Sequence, residues 1–196
     1  MGVNLVTRVR KFTITHEEFS KDDHQVEHEC VTPGVHKLLR FEFLSHNIGD
    51  KDLEIGDPKK RPDLFEFDPS HDHYHLVGFI EYSLKNSSGS QVIPGKKQSF
   101  CLEDTEPLSP WAKKEPHFTC ANQGISSGWA DDYPYYIPCQ YVVIDDKVPN
   151  GDYVLSATCN AKKALEEDNF TDNTTTVGLR INGDTVTVIS HEVSTK

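Results

Sequence analysis

The sequence lacks long apolar runs and any excess of positive charge. No apolar stretch approaches the roughly 18 residues of a membrane-spanning helix, so no membrane span is predicted. The 196-residue chain carries 20 basic and 31 acidic side chains, a formal net charge of −11. Because phosphate binding needs clustered Lys and Arg, the composition predicts no nucleic-acid partner. An acidic surface would attract cationic substrates over about 10 Å, but solubility alone explains the charge equally well.

Targeting and redox signals are also sparse. The first residues contain no apolar core of the signal-peptide kind, which predicts that a secretory signal is absent or was removed before residue 1. The five cysteines form no Cys-x-x-Cys pair, which argues against a thiolate zinc site or a thioredoxin-type motif. Sequons at Asn86, Asn169 and Asn173 permit glycosylation. The expected location is extracellular.

Long amphipathic helical patterns are missing, and short alternating segments separated by turn signals take their place. The strongest hairpin signal is Asn182-Gly183-Asp184. Residues 104–138 are rich in Pro, Gly, Asp and aromatics with little alternation, which predicts long irregular loops. We therefore predict one domain, residues 1–196, with an all-β fold: an antiparallel β-sandwich with long irregular loops and little helix. The predicted strands are residues 38–43, 77–84, 139–144, 153–158, 177–181 and 185–189.

The turn signals around Pro149 lead to a disulfide prediction. A hairpin centred near Pro149 would place Cys139 opposite Cys159, where the Cβ separation suits a cross-strand disulfide. A second bridge, Cys101–Cys120, would join the irregular loops. Cys30 would then remain free.

The most specific motif is the alternating run His71-Asp72-His73-Tyr74-His75. On a β-strand, residues i, i+2 and i+4 share one face, and each such step rises about 6.6 Å. Once the strand twists or bends, three imidazoles can converge on one ion, and Cu²⁺ is the divalent ion that such ligands bind most tightly. Three histidines also leave coordination positions open for catalysis. The alternative is a solvent-facing histidine run on an edge strand, but strict alternation beside apolar residues favours metal binding.

With these histidines as its centre, the sequence resembles the catalytic domain of the lysyl oxidase family. The resemblance is an ordered series of motifs across residues 4–181. Its most specific parts are the paired aromatics followed by the histidines, FEFDPSHDHYH, and the run KQSFCLEDT at residues 97–105. The other matching segments are residues 38–41, 47–49, 123–125, 128, 133, 139–140, 148–154 and 169–173.

The resemblance implies a copper-dependent amine oxidase. Such an enzyme converts peptidyl lysine or other primary amines to aldehydes, consumes molecular oxygen, and releases hydrogen peroxide and ammonia. It also carries a lysine tyrosylquinone, a cofactor that the protein makes from its own side chains. By motif position the cross-linked pair is Lys97 and Tyr133. Lys96 remains an alternative to Lys97, and Tyr135 and Tyr136 remain alternatives to Tyr133.

The same chemistry requires a carboxylate that removes a proton from the substrate carbon. The candidate bases are Asp104, Asp131 and Asp132, and we take Asp104 as the predicted base. Each of the three is better explained as an ordinary loop carboxylate, and the sequence alone does not choose among them.

A calcium site near the end of the chain is also implied by the resemblance. Oxygen ligands of this kind suit Ca²⁺. Neutral Asn4 and Asn169 stand where family members more often carry carboxylates, which predicts a weakened affinity, and a simple polar turn is the alternative. The implied ligands are Glu167, Asn169, Asp172 and Asn173, with Asn4 and the carbonyl of Leu5 from the N-terminal strand.

The chain departs from animal members of the family in several places. Ser70 and Trp129 stand at positions of half-cystines, so at least two family disulfides cannot form. Lys96 replaces a histidine. Propeptide and scavenger-receptor modules are missing from this sequence, and we expect a compact or bacterial-type relative that acts on peptidyl lysine or simple amines. The alternative is a non-enzymatic copper- or zinc-binding β-sandwich that has lost the quinone.

Overall fold

The computed structural model describes residues 2–69 and 72–193, with all side chains except those of residues 91, 94–99, 192 and 193. Ser70 and His71 lie outside the described residues, and so do the side chains of Lys96 and Lys97. The regular structure within these ranges is thirteen strands, one short α-helix and one 3-10 turn. The elements are β1 (Leu5–Phe19), α1 (His24–Glu27), β2 (Gly34–Asn47), β3 (Leu53–Gly56), the 3-10 turn (Pro58–Lys60), β4 (Phe65–Asp68), β5 (His73–Asn86), β6 (Gln91–Phe100), β7 (Glu106–Pro107), β8 (Gln123–Ile125), β9 (Trp129–Tyr133), β10 (Tyr141–Val143), β11 (Gly151–Cys159), β12 (Thr174–Asn182) and β13 (Thr185–Val193).

The strands pair antiparallel in three sheets. Sheet 1 has the order β1-β2-β9-β7, and β10 also pairs with β2. Sheet 2 has the order β13-β12-β11-β5-β4, and β6 also pairs with β5. Sheet 3 is the pair β3-β8. The predicted all-β antiparallel sandwich is confirmed.

Sheets 1 and 2 contribute to one apolar core. Tyr82 on β5 packs edge-on against Phe41 and Phe43 of β2, with ring centroids 4.9 and 5.6 Å apart. On β5, buried Ile80, Tyr82 and Leu84 alternate with less buried residues, as expected for a strand with one face on the core. The aromatic contacts therefore join the two sheets close to the candidate site.

Each predicted strand overlaps an observed one, namely β2, β5, β10, β11, β12 and β13. The hairpin around Asn182–Asp184 is confirmed, because Asn182 pairs with Thr185 at its tip. Residues 104–138 are largely irregular, and the strands within them have five residues or fewer. Strand β10 is shorter than predicted, since Cys139 adopts a left-handed turn conformation with φ 63°. Within residues 2–69 and 72–193, no helix has the length and apolar character needed to cross a bilayer.

The disulfide prediction is half wrong. Cys101–Cys120 is present as predicted, but Cys139 pairs with Cys30, and Cys159 is the buried free thiol in place of Cys30. The cause is that β10 and β11 do not form a hairpin. Strand β10 joins sheet 1 beside β2, whereas β11 lies in sheet 2 between β12 and β5, so Cys139 and Cys159 are not cross-strand neighbours.

Candidate active site

Two of the three motif histidines meet at the beginning of β5. His73 and His75 are two residues apart on the same strand and share one face. Their Nε2 atoms are 3.0 Å apart. Two nitrogens bound to one ion at about 2 Å each lie about 3 Å apart when the angle at the metal is near 100°. The two side chains therefore fit a common transition-metal ion, while His71 lies outside the described residues.

A buried glutamine fixes the backbone between the two histidines. Gln123 is completely buried and donates its side-chain amide to the carbonyl of Tyr74 at 2.7 Å. Its Oε1 accepts the backbone N–H of Leu102 at 2.8 Å. The Cys101–Cys120 disulfide lies beside His73, and its sulfurs come within 4.8 Å of a ring nitrogen. Disulfide sulfurs are not thiolates, so this bridge fixes the loops and leaves metal binding to the imidazoles.

The two histidines form part of the wall of a cavity of about 290 Å³, here called the histidine cavity. Its wall combines aromatic, carboxylate and proline side chains. The lining residues are His73, His75, Phe100, Cys101, Glu103, Asp131, Asp132, Tyr133, Pro134, Ile137 and Pro138. The structure thus brings the predicted tyrosine, two predicted ligands and two predicted candidate bases to one cavity.

Tyr133 is tightly held in this wall. Its ring stacks on Phe100 with centroids 4.6 Å apart and tilts against Phe43 at 5.9 Å. Its hydroxyl donates to the carboxylate of Asp131 and lies 3.1 Å from the carbonyl oxygen of Cys101. Burial, together with the adjacent Asp131 carboxylate, raises the pKa of Tyr133 well above that of a free phenol. The phenol is therefore protonated and anchored at neutral pH.

The other two tyrosine candidates do not line the histidine cavity. Tyr135 and Tyr136 contact each other edge-on at 5.5 Å, and Tyr136 is 69% exposed. The carbonyl of Tyr135 accepts a hydrogen bond from Arg40 at 2.9 Å, which holds the loop that follows β9. The geometry favours Tyr133 over both alternatives.

Three carboxylates give the histidine cavity an acidic wall. Burial raises the pKa of Asp131 well above its usual value, against the opposing effect of the Tyr133 hydrogen bond. Burial also raises the pKa of Glu103. The pKa of Asp132 rises to about 6, first through burial and then through the nearby charge of Glu42. Within the described part of the chain, Asp132 Oδ1 is buried without a hydrogen-bond partner.

Asp104 has a different position from the one that its predicted role requires. It does not line the histidine cavity. Its carboxylate accepts the backbone N–H groups of His117, Phe118 and Ser126 at 2.9, 3.2 and 2.7 Å, and the Ser126 hydroxyl at 2.6 Å. Four hydrogen bonds saturate this carboxylate and tie three loop segments together, so the geometry favours Asp131 or Asp132 as the base.

Lys97 lies on β6, opposite Glu81 of β5 in the strand ladder, and Lys96 lies opposite Tyr82. Lys97 precedes Phe100, the stacking partner of Tyr133, by three residues. A strand rises about 3.3 Å per residue, so the two backbone positions are about 10 Å apart. The strand that carries both lysine candidates thus ends at the ring of Tyr133.

The implied calcium ligands form a second group, here called the N-terminal oxygen cluster. Its Asn4 Nδ2 donates to Asp172 at 3.1 Å, and the Leu5 N–H donates to Glu167 at 2.8 Å. Asn173 Nδ2 also donates to Glu167, at 2.6 Å. Among the described residues, Asn4 Oδ1, Asp172 Oδ1 and Asn173 Oδ1 are buried without hydrogen-bond partners. Three unpartnered oxygens beside the half-buried carboxylate of Glu167 are the donor set that a hard cation prefers.

Two of the implied calcium ligands differ in detail from the prediction. Asn169 turns its Oδ1 toward its own loop, where it accepts the N–H and the hydroxyl of Thr171 at 3.0 and 2.8 Å. Leu5 contacts Glu167 through its N–H, whereas the prediction used its carbonyl. Asn4, Glu167, Asp172 and Asn173 are therefore the residues that the structure brings together.

Comparison with known proteins decides the family. The family model described as lysyl oxidase matches residues 9–191. The chain belongs to the lysyl oxidase family. It is 37% identical to lysyl oxidase homolog 2 of Gallus gallus over 157 residues, 78% of this chain and 19% of the relative. It is 38% identical to lysyl oxidase homolog 2 of Homo sapiens over 146 residues, 72% of this chain and 18% of the relative.

A further relative is lysyl oxidase homolog 3B of Danio rerio, 36% identical over 154 residues, 76% of this chain and 18% of the relative. The chain spans about a fifth of the length of the curated relatives it matches. Family membership supports an oxidase of the copper amine oxidase type at the level of the family.

Sequence reasoning missed three residues of the site. Phe100 and Glu103 lie inside the KQSFCLEDT run, and Asp68 lies three residues before the histidine motif. In the sequence, only their position beside motif residues indicated that they belong to the site. Their roles depend on contacts across strands, which the spacing of residues along the chain does not report.

Proposed function

We propose that this chain is a copper-dependent amine oxidase that converts primary amines, including peptidyl lysine, to aldehydes with release of hydrogen peroxide and ammonia. The proposal extends the family membership to a specific activity. The observation that carries it is the 3.0 Å approach of the His73 and His75 Nε2 atoms on the wall of a cavity that Tyr133 also lines. Two imidazoles that can share one metal ion and an oxidisable phenol in the same cavity are both required for this oxidation.

Copper would be held by His73 and His75, with His71 as the third ligand that the family resemblance implies. Copper and a lysine tyrosylquinone made from Lys97 and Tyr133 would supply the two-electron redox chemistry, with molecular oxygen as the final electron acceptor. Phe100 stacks on the ring of Tyr133, the ring that would be oxidised. This contact fixes the orientation of the Tyr133 ring and shields one of its faces from water.

Asp131 is the proposed general base, in place of Asp104. Its carboxylate accepts a hydrogen bond from the Tyr133 hydroxyl, and burial raises its pKa well above the usual value, which makes it a stronger base. Asp132 and Glu103 add negative charge to the same wall. That charge favours entry of a cationic amine, and the apolar side chains of Phe100 and Ile137 in the same wall would contact its methylene groups.

The N-terminal oxygen cluster is a proposed calcium site. Asn4, Asp172 and Asn173 would bind through the three buried oxygens that lack hydrogen-bond partners among the described residues, and Glu167 would supply further charge. The cluster joins the beginning of β1 to the loop before β12, so its role would be structural.

The proposed setting is a single domain, residues 1–196, in an extracellular compartment. Two disulfides are present in the described part of the chain, and such bridges persist mainly under oxidising conditions. Oxygen and a primary amine or lysyl peptide are the proposed reaction partners.

The test is peroxide release from a lysyl peptide by copper-loaded protein. We expect Tyr133→Phe and Lys97→Ala to abolish release, and phenylhydrazine to give a coloured adduct with the wild type only. Tyr136→Phe is the matched control, because this exposed tyrosine does not line the cavity. Lys96→Ala distinguishes the two lysines. Full activity in Tyr133→Phe would refute the cofactor assignment.

A non-enzymatic metal-binding module is the second candidate function. The observation that favours it is the anchored state of Tyr133, whose hydroxyl is held by Asp131 and whose pKa is raised. Copper oxidises a phenolate more readily than a phenol, so this arrangement disfavours cofactor formation until Tyr133 is released. Stoichiometric copper binding without peroxide or hydrazine reactivity would select this candidate.

A further inference from the structure

A buried carboxylate lies directly behind one of the two metal-facing histidines. Asp68 is the last residue of β4 and pairs with His73 in the ladder between β4 and β5. Its side chain is only 5% exposed. Its Oδ2 lies 3.4 Å from Nδ1 of His75 and 3.6 Å from Nδ1 of His28. Asp68 thus faces the ring nitrogen of His75 that does not face His73.

The two ring nitrogens of His75 have separate partners. Nε2 approaches Nε2 of His73 at 3.0 Å, and Nδ1 faces Asp68. A neutral imidazole carries one proton, and the group that accepts this proton decides which nitrogen keeps a lone pair for a metal. A carboxylate at Nδ1 fixes the proton there, which leaves the Nε2 lone pair directed at the site of the ion.

We propose that Asp68 is a positioning residue for the metal centre, which holds His75 in the tautomer and ring orientation that bind copper through Nε2. The inference rests on the proposed copper site and adds to it a residue outside the histidine motif. Asp68 contacts neither substrate nor metal in this role. It acts through His75, and its negative charge also makes the imidazole a stronger donor.

The contact between Asp68 and His28 supplies an internal control. His28 follows α1, and Cys30 attaches this segment to Cys139 through a disulfide. The side chain of His28 is 29% exposed, against 12% for His75, and its Nδ1 is farther from Asp68. The shorter distance and the deeper burial make His75 the ring that the carboxylate orients.

The experiment compares Cu²⁺ binding by the wild type, Asp68→Asn and His28→Gln, using competition against a chelator of known affinity. Asparagine preserves the shape of the side chain but removes the charge and offers an amide N–H to the ring. We expect Asp68→Asn to weaken Cu²⁺ binding by about 10- to 100-fold, the usual effect of losing such a partner. His28→Gln should weaken it far less, because His28 does not face the proposed metal site.

A spectroscopic signature separates positioning from general destabilisation. The electron paramagnetic resonance spectrum of bound Cu²⁺ should change its hyperfine splitting in Asp68→Asn and remain that of the wild type in His28→Gln. Thermal unfolding of the metal-free variants tests the fold, and Asp68→Glu should restore part of the affinity if the carboxylate itself is needed. If Asp68→Asn misfolds, Asp68→Glu and Asp68→Ser carry the comparison.

The outcomes also distinguish this inference from the proposed function. Wild-type affinity and spectrum in a folded Asp68→Asn would overturn the role of Asp68 and leave the oxidase proposal intact. Weaker binding with an altered spectrum, in a protein that releases no peroxide, would support the role of Asp68 and refute the oxidase proposal. Copper binding that survives His73→Ala and His75→Ala would overturn both.

Discussion

We expect the protein to have a lower free energy of unfolding in a chelator than in calcium. The size of the difference follows from the oxygens of the N-terminal oxygen cluster. Among the described residues, Asn4, Asp172 and Asn173 each leave one buried side-chain oxygen without a hydrogen-bond partner. A buried polar group in that condition costs about 1–3 kcal/mol. A bound cation would remove three such costs at once, so the folded chain should bind calcium and the unfolded chain should not.

The size of the effect follows from mass action. A ligand that binds only the native state at 100 times its Kd stabilises it by about 2.7 kcal/mol. For a chain of this length, each kcal/mol shifts the midpoint of thermal unfolding by about 2–4 °C. We therefore expect a Tm higher by about 5–11 °C in saturating calcium than in a chelator. With two neutral amide ligands in the cluster, the Kd should lie in the weak range of about 10⁻⁴ to 10⁻³ M.

The assay is thermal unfolding followed by circular dichroism across a calcium titration. Asp172→Asn should abolish most of the shift, because it removes the charge from a carboxylate that lies in the cluster. Asp63→Asn is the matched control, since Asp63 is 61% exposed in its side chain and pairs with Arg61 outside the cluster. An identical Tm in calcium and in chelator, or a full shift in Asp172→Asn, would refute the assignment.

Three further predictions concern stability and thiol chemistry. Arg40→Ala should lower the free energy of unfolding by about 2–3 kcal/mol in urea titrations. The reason is that the nearly buried guanidinium donates to both carboxylate oxygens of Glu17, at 2.7 and 2.8 Å. Arg40→Lys should recover only part of this free energy. Asp132 has a folded-state pKa of about 6, above its unfolded value, so its protonated form favours folding. Wild-type stability should therefore fall as pH rises from about 4 to about 6, relative to Asp132→Asn, and equal slopes would contradict the burial of this carboxylate. Burial raises the pKa of Cys159 to about 12 and keeps this thiol unreactive. Ellman's reagent should therefore detect no thiol in the native protein and one thiol per chain after unfolding without reductant. A second thiol would contradict the observed disulfide pairing.

The strand pattern was predictable because it is local. Alternation of apolar and polar residues reports directly which face of a strand meets the core, and residues 80–84 and 153–158 follow it closely. The assignment of strands to sheets is not local. Strands β10 and β11 follow each other with a turn sequence between them, yet they belong to different sheets. The same kinds of turn residue occur in a hairpin and in a connection that crosses from one sheet to another. The wrong prediction of a Cys139–Cys159 disulfide followed from this ambiguity.

The candidate site was predictable to a similar extent. The spacing of His73 and His75 was sufficient to place both rings on one face. The choice among Asp104, Asp131 and Asp132 was not available from the sequence, because all three are acidic residues of one irregular region. Hydrogen bonds decide it: Asp104 is saturated by backbone N–H groups, whereas Asp131 faces a phenol. The partners of a carboxylate are set by the tertiary fold, and spacing along the chain does not encode them.

The histidine cavity is lined by residues of both large sheets, so the proposed chemistry depends on both. Sheet 2 supplies the histidines at the beginning of β5, and sheet 1 supplies Tyr133 at the end of β9. Phe100, at the end of β6, bridges the two groups because its ring stacks on Tyr133 and lies 6.3 Å from the ring of His75. Lys97 is about 10 Å away along the same strand. The proposed cross-link between Lys97 of β6 and Tyr133 of β9 would therefore join the two sheets covalently. Phe100 and Asp131 anchor the ring and the hydroxyl of Tyr133 and so order the cavity, and these contacts would oppose any movement of the phenol that the proposed cross-linking requires.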